Sequence, residues 1–506
     1  MKRLVLVVLG AVFSVCLGAA FLGAAELPCA KDYAKDVPPA ILKRAGTLPD
    51  CYMFPNDWVK KQDWKAIREK HAGTKLTIMF EGTDVGAPLM TKDNFEKLTG
   101  MKLEFISVPV QMQFEKLLIS YSTGKAAYDV ATILSQQMPV FARFLEPLDD
   151  WIKKWNYDWD DLFPSFQKLM TRDGKIMMLP NDFDNHFWHC RAKFLDKAGL
   201  EGPPKTWDEV VEYSKKMKPI LPEGIWPTGF MMSRDLLGWE SFWDVAAPFG
   251  ANYFKEGTWE PDFAGAEAIK AADFLKKMMD DGLLAPGSPS WGYVEQLEAW
   301  NNGTLAMCIQ YPIQESYVPA MSKIAEEPRI HSLVPKGMGP KGRYAPHGTS
   351  TNVGLGISKQ SKVKEAAFIW AAYNSSAEVQ YIYTITGTGI DYGRKSLFAN
   401  KRANDFYPNA RASLESVPYL YLPLNIPLNT EIMAAFVPAV HDVWTGRGKA
   451  ADILPKANKQ IHDIMQRYGY LDKTPPEPPR SFWNNDYYKN EKEKYGLDQL
   501  LMQVVD

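Results

Sequence analysis

Cysteine is scarce in this chain of 506 residues: there are five, and no two form a Cys-x-x-Cys pair. That excludes a disulfide-stapled scaffold, a zinc ribbon and a thioredoxin-type redox site. Net charge is also small, −2 at neutral pH, so no basic excess points to nucleic acid as a partner. Beyond residue 22 no apolar run approaches the roughly 18–20 residues that a membrane span needs. There is no internal repeat, no Gly-x-Ser-x-Gly nucleophile elbow and no phosphate-cradling glycine loop, which makes catalysis the weaker class of function.

What the chain does have begins at its start. Lys2 and Arg3 precede an apolar stretch over 4–22, and Gly23, Ala24 and Ala25 follow as small residues. This is the pattern of an export leader, with cleavage expected between Ala25 and Glu26 and a periplasmic mature protein. Cys16 follows Val15 inside the apolar stretch and Cys29 follows Pro28, so neither has the small preceding residue of a lipid-attachment site. Of the four cysteines left after cleavage, Cys29 and Cys51 both lie in the first segment of the mature chain. In an oxidising compartment they are expected to pair, while Cys190 and Cys308 stay apart as small buried residues.

The length calls for more than one domain. Residues 26–74 carry little periodicity and read as an extension that wraps the body. KLTIMF at 75–80 is the first strand, and a polar glycine-rich loop follows at 81–86. A helix including 92–98 stops at Gly100, a second strand covers 101–108, an amphipathic stretch covers 113–122, and YDVATIL at 128–134 is a third strand. Strand, helix, strand, helix, strand in so short a span implies a parallel sheet with covering helices. Thr206 with Glu209, and Ser375 with Glu378, have the spacing of helix capping boxes. Past residue 472 the chain becomes Pro-rich and then aromatic, with Phe482, Trp483, Tyr487 and Tyr488 promising a tail that docks rather than floats.

Four segments then carry a resemblance. They are DGKIMMLP at 173–180, RAKFLDKAGL at 191–200 with PPKTWDEV at 203–210, NGTLAMCI at 302–309, and GLGISKQSKVKEAA at 354–367. In that order they resemble the extracellular solute-binding proteins of carbohydrate ABC importers, the group that includes maltose-binding protein. The resemblance implies an α/β protein of the two-lobed periplasmic type II form, each lobe a sheet flanked by helices, with a ligand cleft between lobes. It implies no catalysis and no cofactor, a monomer that captures a sugar or polyol, and an inner-membrane ABC permease as partner. On this pattern lobe 1 is expected at 75–181 plus about 310–346, lobe 2 at 182–309 plus about 347–471, and a tail at 472–506. Where many family members have Tyr-Asn-Lys this chain has Trp188-His189-Cys190-Arg191, and Thr351-Asn352-Val353 stands where many have Gly-Gly-Trp. Sugar-stacking tryptophans therefore do not transfer to those places.

Site candidates follow from position. Glu81, Thr83 and Asp84 come after the first strand, and Ser135, Gln136 and Gln137 after the third. Asp182, Asp184 and Asn185 lie where the chain should cross between lobes, and His347, Gly348, Thr349 and Ser350 where it should cross again. A carboxylate can accept two hydrogen bonds from vicinal hydroxyls. Trp188, Trp239, Trp243 and Tyr311 are candidate rings for the carbon faces of a ligand. The ligand-binding set is thus Glu81, Thr83, Gln136, Asp182, Asn185, Trp188, Trp239, Tyr311, His347 and Thr349. These loops contain almost no Lys or Arg, which favours a small neutral polyhydroxyl ligand. His186, His189 and Cys190 do not make a metal site, because strand positions three apart face opposite sides. Asp158, Asp160 and Asp161 lack the glycine and terminal Glu of a calcium loop. The rival functions are a secreted carbohydrate-active hydrolase, which needs two carboxylates across a cleft, and a binding protein for a charged solute such as a peptide or phosphate ester, which would want convergent basic residues.

Overall fold

A computed structural model describes residues 27–473 apart from 40, 41, 44–52, 55, 83, 125, 126, 313, 315–321, 338–347, 388, 389 and 392, together with 493, 497, 500 and 501. Its strands are β1 (Lys75–Glu81), β2 (Lys102–Val108), β3 (Val130–Leu134), β4 (Thr171–Arg172), β5 (Lys175–Ile176), β6 (Met178–Asp182), β7 (Phe187–Arg191), β8 (Trp226–Gly229), β9 (Leu305–Gln310), β10 (Arg329–Ser332) and β11 (Val353–Ile357). They build a five-stranded sheet in the order β2-β1-β3-β11-β6 and a four-stranded sheet in the order β10-β7-β9-β8. β4 and β5 form a separate hairpin.

The first three strands fall where the sequence puts them, and β1 pairs in parallel with both β2 and β3. The helix Gly86–Thr99 between β1 and β2 ends at Gly100, whose φ of 70° needs the left-handed region that glycine enters without strain. The expected return of the chain is corrected by β10 and β11. The segment 310–346 was expected in lobe 1, yet β10 pairs antiparallel with β7 in the second sheet. The segment 347–471 was expected in lobe 2, yet β11 lies antiparallel between β3 and β6 in the first. Packing explains the second case. All five residues of β11 are buried, and a Cβ at Gly354 or Gly356 would come within 3 Å of Met170 and Met178, or of Ile133 and Leu145. Only a strand with glycines there fits that slot. After β11, buried side chains up to Leu420 join the cores of the first sheet, and those from Tyr421 to Met465 join the core of the second.

Among the described residues three crossings connect the lobes, and they lie side by side. His186 N–H donates to the Thr349 carbonyl at 2.9 Å, Thr351 N–H to the Asp184 carbonyl at 3.1 Å, and Tyr421 N–H to the Gly348 carbonyl at 2.8 Å. The cleft is therefore floored by a narrow hydrogen-bonded ribbon.

The N-terminal extension packs on the first lobe. Trp58 is fully buried and donates its indole N–H to the Trp155 carbonyl at 2.9 Å. Asp57 takes over the cap expected from Ser375 and Glu378. Its two carboxylate oxygens accept from Ala377 N–H at 3.0 Å and Glu378 N–H at 3.3 Å, so the helix Ala377–Thr386 is capped across the chain rather than locally. Ser375 instead ends the preceding helix, Lys364–Asn374. The Thr206 cap is as expected, accepting from Glu209 N–H at 3.1 Å at the start of Trp207–Met217. From the tail, Leu497 is buried in the same core as Leu42 and Met53 of the extension, with Leu500 and Leu501 against it. Phe482, Trp483, Tyr487 and Tyr488 lie outside the described residues.

Candidate functional site

A cavity of about 210 Å³ opens between the two sheets. The first lobe lines it with groups at the carboxyl ends of its strands and in the loops beyond. Glu81 and Asp84 follow β1, Leu134 and Gln137 follow β3, and Asp182 ends β6. Val110, which opens the helix Val110–Ser122, and Val353 of β11 complete that wall. The crossings add Asp184 and Thr351, and the second lobe adds Asp235, Leu236, Leu237, Tyr293 and Tyr311. Open α/β sheets present ligand sites at this edge because strand ends and loop groups converge there.

Several of the acidic groups accept from neutral donors. Asp84 accepts from the Asn181 amide at 3.2 Å, and Asn374 holds that asparagine from behind at 3.0 Å. Asp182 accepts from the backbone N–H of Asp391 at 2.7 Å, and Asp391 in turn accepts from the Tyr407 hydroxyl at 2.9 Å. The carboxylates of Asp182, Asp184 and Asp391 lie within 4.8 Å of one another and are the one trio of possible metal ligands among the described residues. Burial and then the neighbouring carboxylates push Asp182 and Asp184 well above the usual carboxylate range. Tyr311 donates its hydroxyl to Glu240, which also accepts from Thr351.

Beneath the cavity, His186 meets Asp244 at 2.7 Å, and the Thr349 hydroxyl and N–H both donate to Asp244, at 2.9 and 2.8 Å. Burial works against charge on His186, but the Asp244 contact outweighs it and holds the imidazole above its ordinary value. Two crossings are thereby tied to the second-lobe helix Leu236–Phe249.

These shifts set a pH dependence. Asp182, Asp184 and Glu378 (raised to about 7 by burial) hold protons in the folded chain that they would release when unfolded. Stability therefore falls as pH rises through the window from about 4.5 to 7. His186 acts in the same direction: its raised value contributes stability that is complete below about 6.5 and lost as pH rises through the folded value. His71, lowered chiefly by burial, opposes them. Glu96, Glu327 and Glu365, whose values are lowered, act only below about 4.5. The ligand-free protein is expected to melt higher at about pH 5.5 than at about pH 8. Melting curves with the opposite order would overturn this account.

Of the residues expected from sequence, Glu81, Asp84, Gln137, Asp182, Asp184 and Tyr311 line the cavity. Gln136, Trp239 and Thr349 line a much smaller space of about 10 Å³ that shares Leu236 and Thr351 with it. Thr83 and His347 lie outside the described residues. Asn185 is fully buried, its amide donating to Ser416 and to the Ser413 carbonyl, so it holds a crossing in place rather than facing the cleft. Trp188 is corrected: it points into the second-lobe core, edge-on to Trp207 at 5.6 Å. Trp243 is likewise core, stacked on Tyr421 at 5.4 Å. Cys29 is disulfide-bonded, Cys190 and Cys308 are buried and in no disulfide, and Cys51 lies outside the described residues.

Sequence reasoning missed Asp235 and Tyr293. Asp235 had a readable signal, because it caps Leu236–Phe249 by accepting from Leu237 N–H at 3.0 Å. Tyr293 opens its helix with nothing in the sequence to mark it. The expectation of a neutral ligand rested on the scarcity of basic loop residues. The described lining has no Lys or Arg, but it gathers five carboxyl groups.

Comparison with known proteins agrees with this architecture. Residues 81–381 match the model of the family described as bacterial extracellular solute-binding protein. A mannitol-binding protein of Pseudomonas aeruginosa is 24% identical over 404 residues, covering 73% of this chain and 87% of that protein. Maltose-bound MalE3 of T. maritima superposes with a TM-score of 0.72 at 21% identity, covering 78% of this chain and all of the other. A solute-binding protein from Agrobacterium vitis with bound D-mannitol gives 0.69 at 24% identity, covering 79% and 100%. With the family model spanning more than half the chain and the two-sheet fold in place, this protein belongs to the bacterial extracellular solute-binding proteins, the non-enzymatic capture components of ABC transporters.

Proposed function

We propose that the protein captures a sugar or polyol in the cleft between its sheets and delivers it, as a monomer, to an ABC permease of the inner membrane. The observation that carries this reading is the cavity itself. Hydrogen-bond acceptors at the strand ends of the first lobe face tyrosines and leucines from the second, and no basic residue lines it among those described. Acceptors suit hydroxyl groups, apolar walls suit carbon faces, and the missing cations disfavour phosphate esters and other anions. Relatives whose names or structures specify mannitol or maltose support the same class of solute. Binding would shift an open-closed equilibrium toward the closed form, with hinge bending at the side-by-side crossings. Export with removal of residues 1–25 places it in the periplasm, where Cys29 is expected to be joined to Cys51. Non-reducing peptide mapping should recover that linked pair, and Cys29 joined elsewhere would refute the pairing.

A thermal-shift panel of sugars and polyols tests the function directly, because a ligand that binds only the folded state must raise the midpoint. Asp182 then discriminates. It is 2% exposed and reaches the cavity. Asp182→Ala is expected to remove charge-assisted hydrogen bonds worth roughly 1.5–3 kcal/mol each, hence tenfold or more in affinity by calorimetric titration. Melting of the ligand-free variant should be unchanged or raised, because repulsion with Asp184 is relieved. Full affinity in the variant would remove Asp182 from the site, and turnover of the ligand would contradict a capture role.

A further inference from the structure

The chain has nearly equal numbers of basic and acidic residues, 58 and 60, yet it does not distribute them evenly. Away from the cleft, several partly buried carboxylates are met by cations. Glu96 lies between Lys92 and Lys102, Glu327 between Arg191 and Lys193, and Glu365 between Lys70 and Lys154. The cleft lining is composed differently. Glu81, Asp84, Asp182, Asp184 and Asp235 line the cavity, with no Lys, Arg or His among its described lining residues. Asp182 accepts from a backbone N–H and Asp235 from a hydroxyl and a backbone N–H. The carboxylate of Asp184 accepts no hydrogen bond and no ion pair from any described residue. Glu240 stands behind this wall, held by hydroxyls of Tyr311 and Thr351, with His186 at 3.8 Å as the nearest ionisable cation.

A second observation is independent of charge. Gln136 is 6% exposed and lines the small space that adjoins the main cavity at Leu236 and Thr351, and its Nε2 has no hydrogen-bond partner. A buried amide donor left unmade is costly, and a space of about 10 Å³ admits one water-sized oxygen. Among the described residues, then, Gln136 wants an acceptor and the carboxyl groups want a cation. The rings of Tyr293 and Tyr311, 5.9 Å apart, flank the cavity and can face a cation as well as a carbon frame.

We infer that the captured solute is a polyhydroxyl compound bearing a protonated amine, an amino sugar or amino polyol, with its ammonium group against Asp182 and Asp184 and a hydroxyl oxygen accepting from Gln136. This rests on the sugar-or-polyol reading above and adds the charge that reading leaves open. The ammonium supplies donors to these two carboxyl groups, and its charge would draw off the protons that burial and their mutual repulsion retain in the ligand-free chain.

The test is calorimetric titration with a panel of neutral sugars and polyols, each beside its amino-deoxy and N-acetylamino counterparts, and with calcium chloride alone. The amino-deoxy member of at least one set is expected to bind tenfold or more tighter than its neutral and N-acetylated partners. Asp184→Asn, isosteric and so compatible with folding, should bring the amino and neutral members of that set to within about twofold of each other, with a melting curve to check that the variant is folded. Neutral members binding as tightly as their amines would overturn the inference and leave the sugar reading intact. Stabilisation by calcium chloride alone, reversed by a chelator, would overturn it by assigning the charge to a metal. Absence of binding by every member, neutral and amino alike, would refute the sugar reading and the inference with it.

Discussion

Replacing Arg394 by methionine is expected to cost about 3–5 kcal/mol of stability, a large share of what holds a domain folded. Arg394 is 1% exposed. Its guanidinium donates to the Ser375 carbonyl at 2.7 Å, the Tyr157 hydroxyl at 2.5 Å, and the Asp158 carbonyl and Asp161 carboxylate at 3.3 Å each. Methionine keeps much of the volume but none of the donors, so several acceptors lose their partner at once. The damage also reaches the N-terminal extension. Asp57 is buried, and the Arg394 charge helps offset the cost of that burial, so the residue that caps Ala377–Thr386 would be left without it. Lysine should not rescue, because a single ammonium cannot reproduce the planar fork. The measurement is the denaturant midpoint of each variant. A shift corresponding to less than about 1 kcal/mol would show that these contacts act as an exposed pair would.

Trp188→Ala is expected to be comparably damaging, about 3–5 kcal/mol, with no direct effect on ligand affinity. The indole is fully buried on β7, in the core that also contains Trp207 and Phe230, and removing it leaves a cavity that the surrounding sheet and helices can fill only in part. The folded variant, titrated well below its melting temperature with whichever solute the panel identifies, should bind within about twofold of wild type. Loss of binding with stability intact would return Trp188 to the site, where its sequence position alone had suggested it belonged. Taken with Asp182→Ala, the pair separates the two roles: one substitution should weaken binding and spare the fold, and the other should do the reverse.

Much of the first lobe was legible because its signals are local. β1, β2 and β3 each appear as apolar stretches bounded by polar or glycine breaks, and the Gly100 stop and Thr206 cap involve residues no more than a turn apart. The strand ends then placed Glu81 and Asp182 near the cleft, since chain direction decides which edge of a sheet a loop occupies. The cap on Ala377–Thr386 was misread because Ser375 and Glu378 have the right spacing, while Asp57, 320 residues away from Ala377, takes the N–H groups. β11 was assigned to the wrong lobe because nothing within the segment says which of two sheets has an empty slot of the right width.

The sequence by itself determined that this is an α/β chain with an export leader, little cysteine chemistry and the ordered motifs of a solute-binding family, because each of those is written in contiguous residues. Only the tertiary structure decided which tryptophans are core, which segments return to which sheet, and that carboxyl groups scattered from Glu81 to Asp391 converge on one cleft without a lysine or arginine among its described lining. Electrostatics depends on distance through space and on burial, and neither is fixed until the chain has folded.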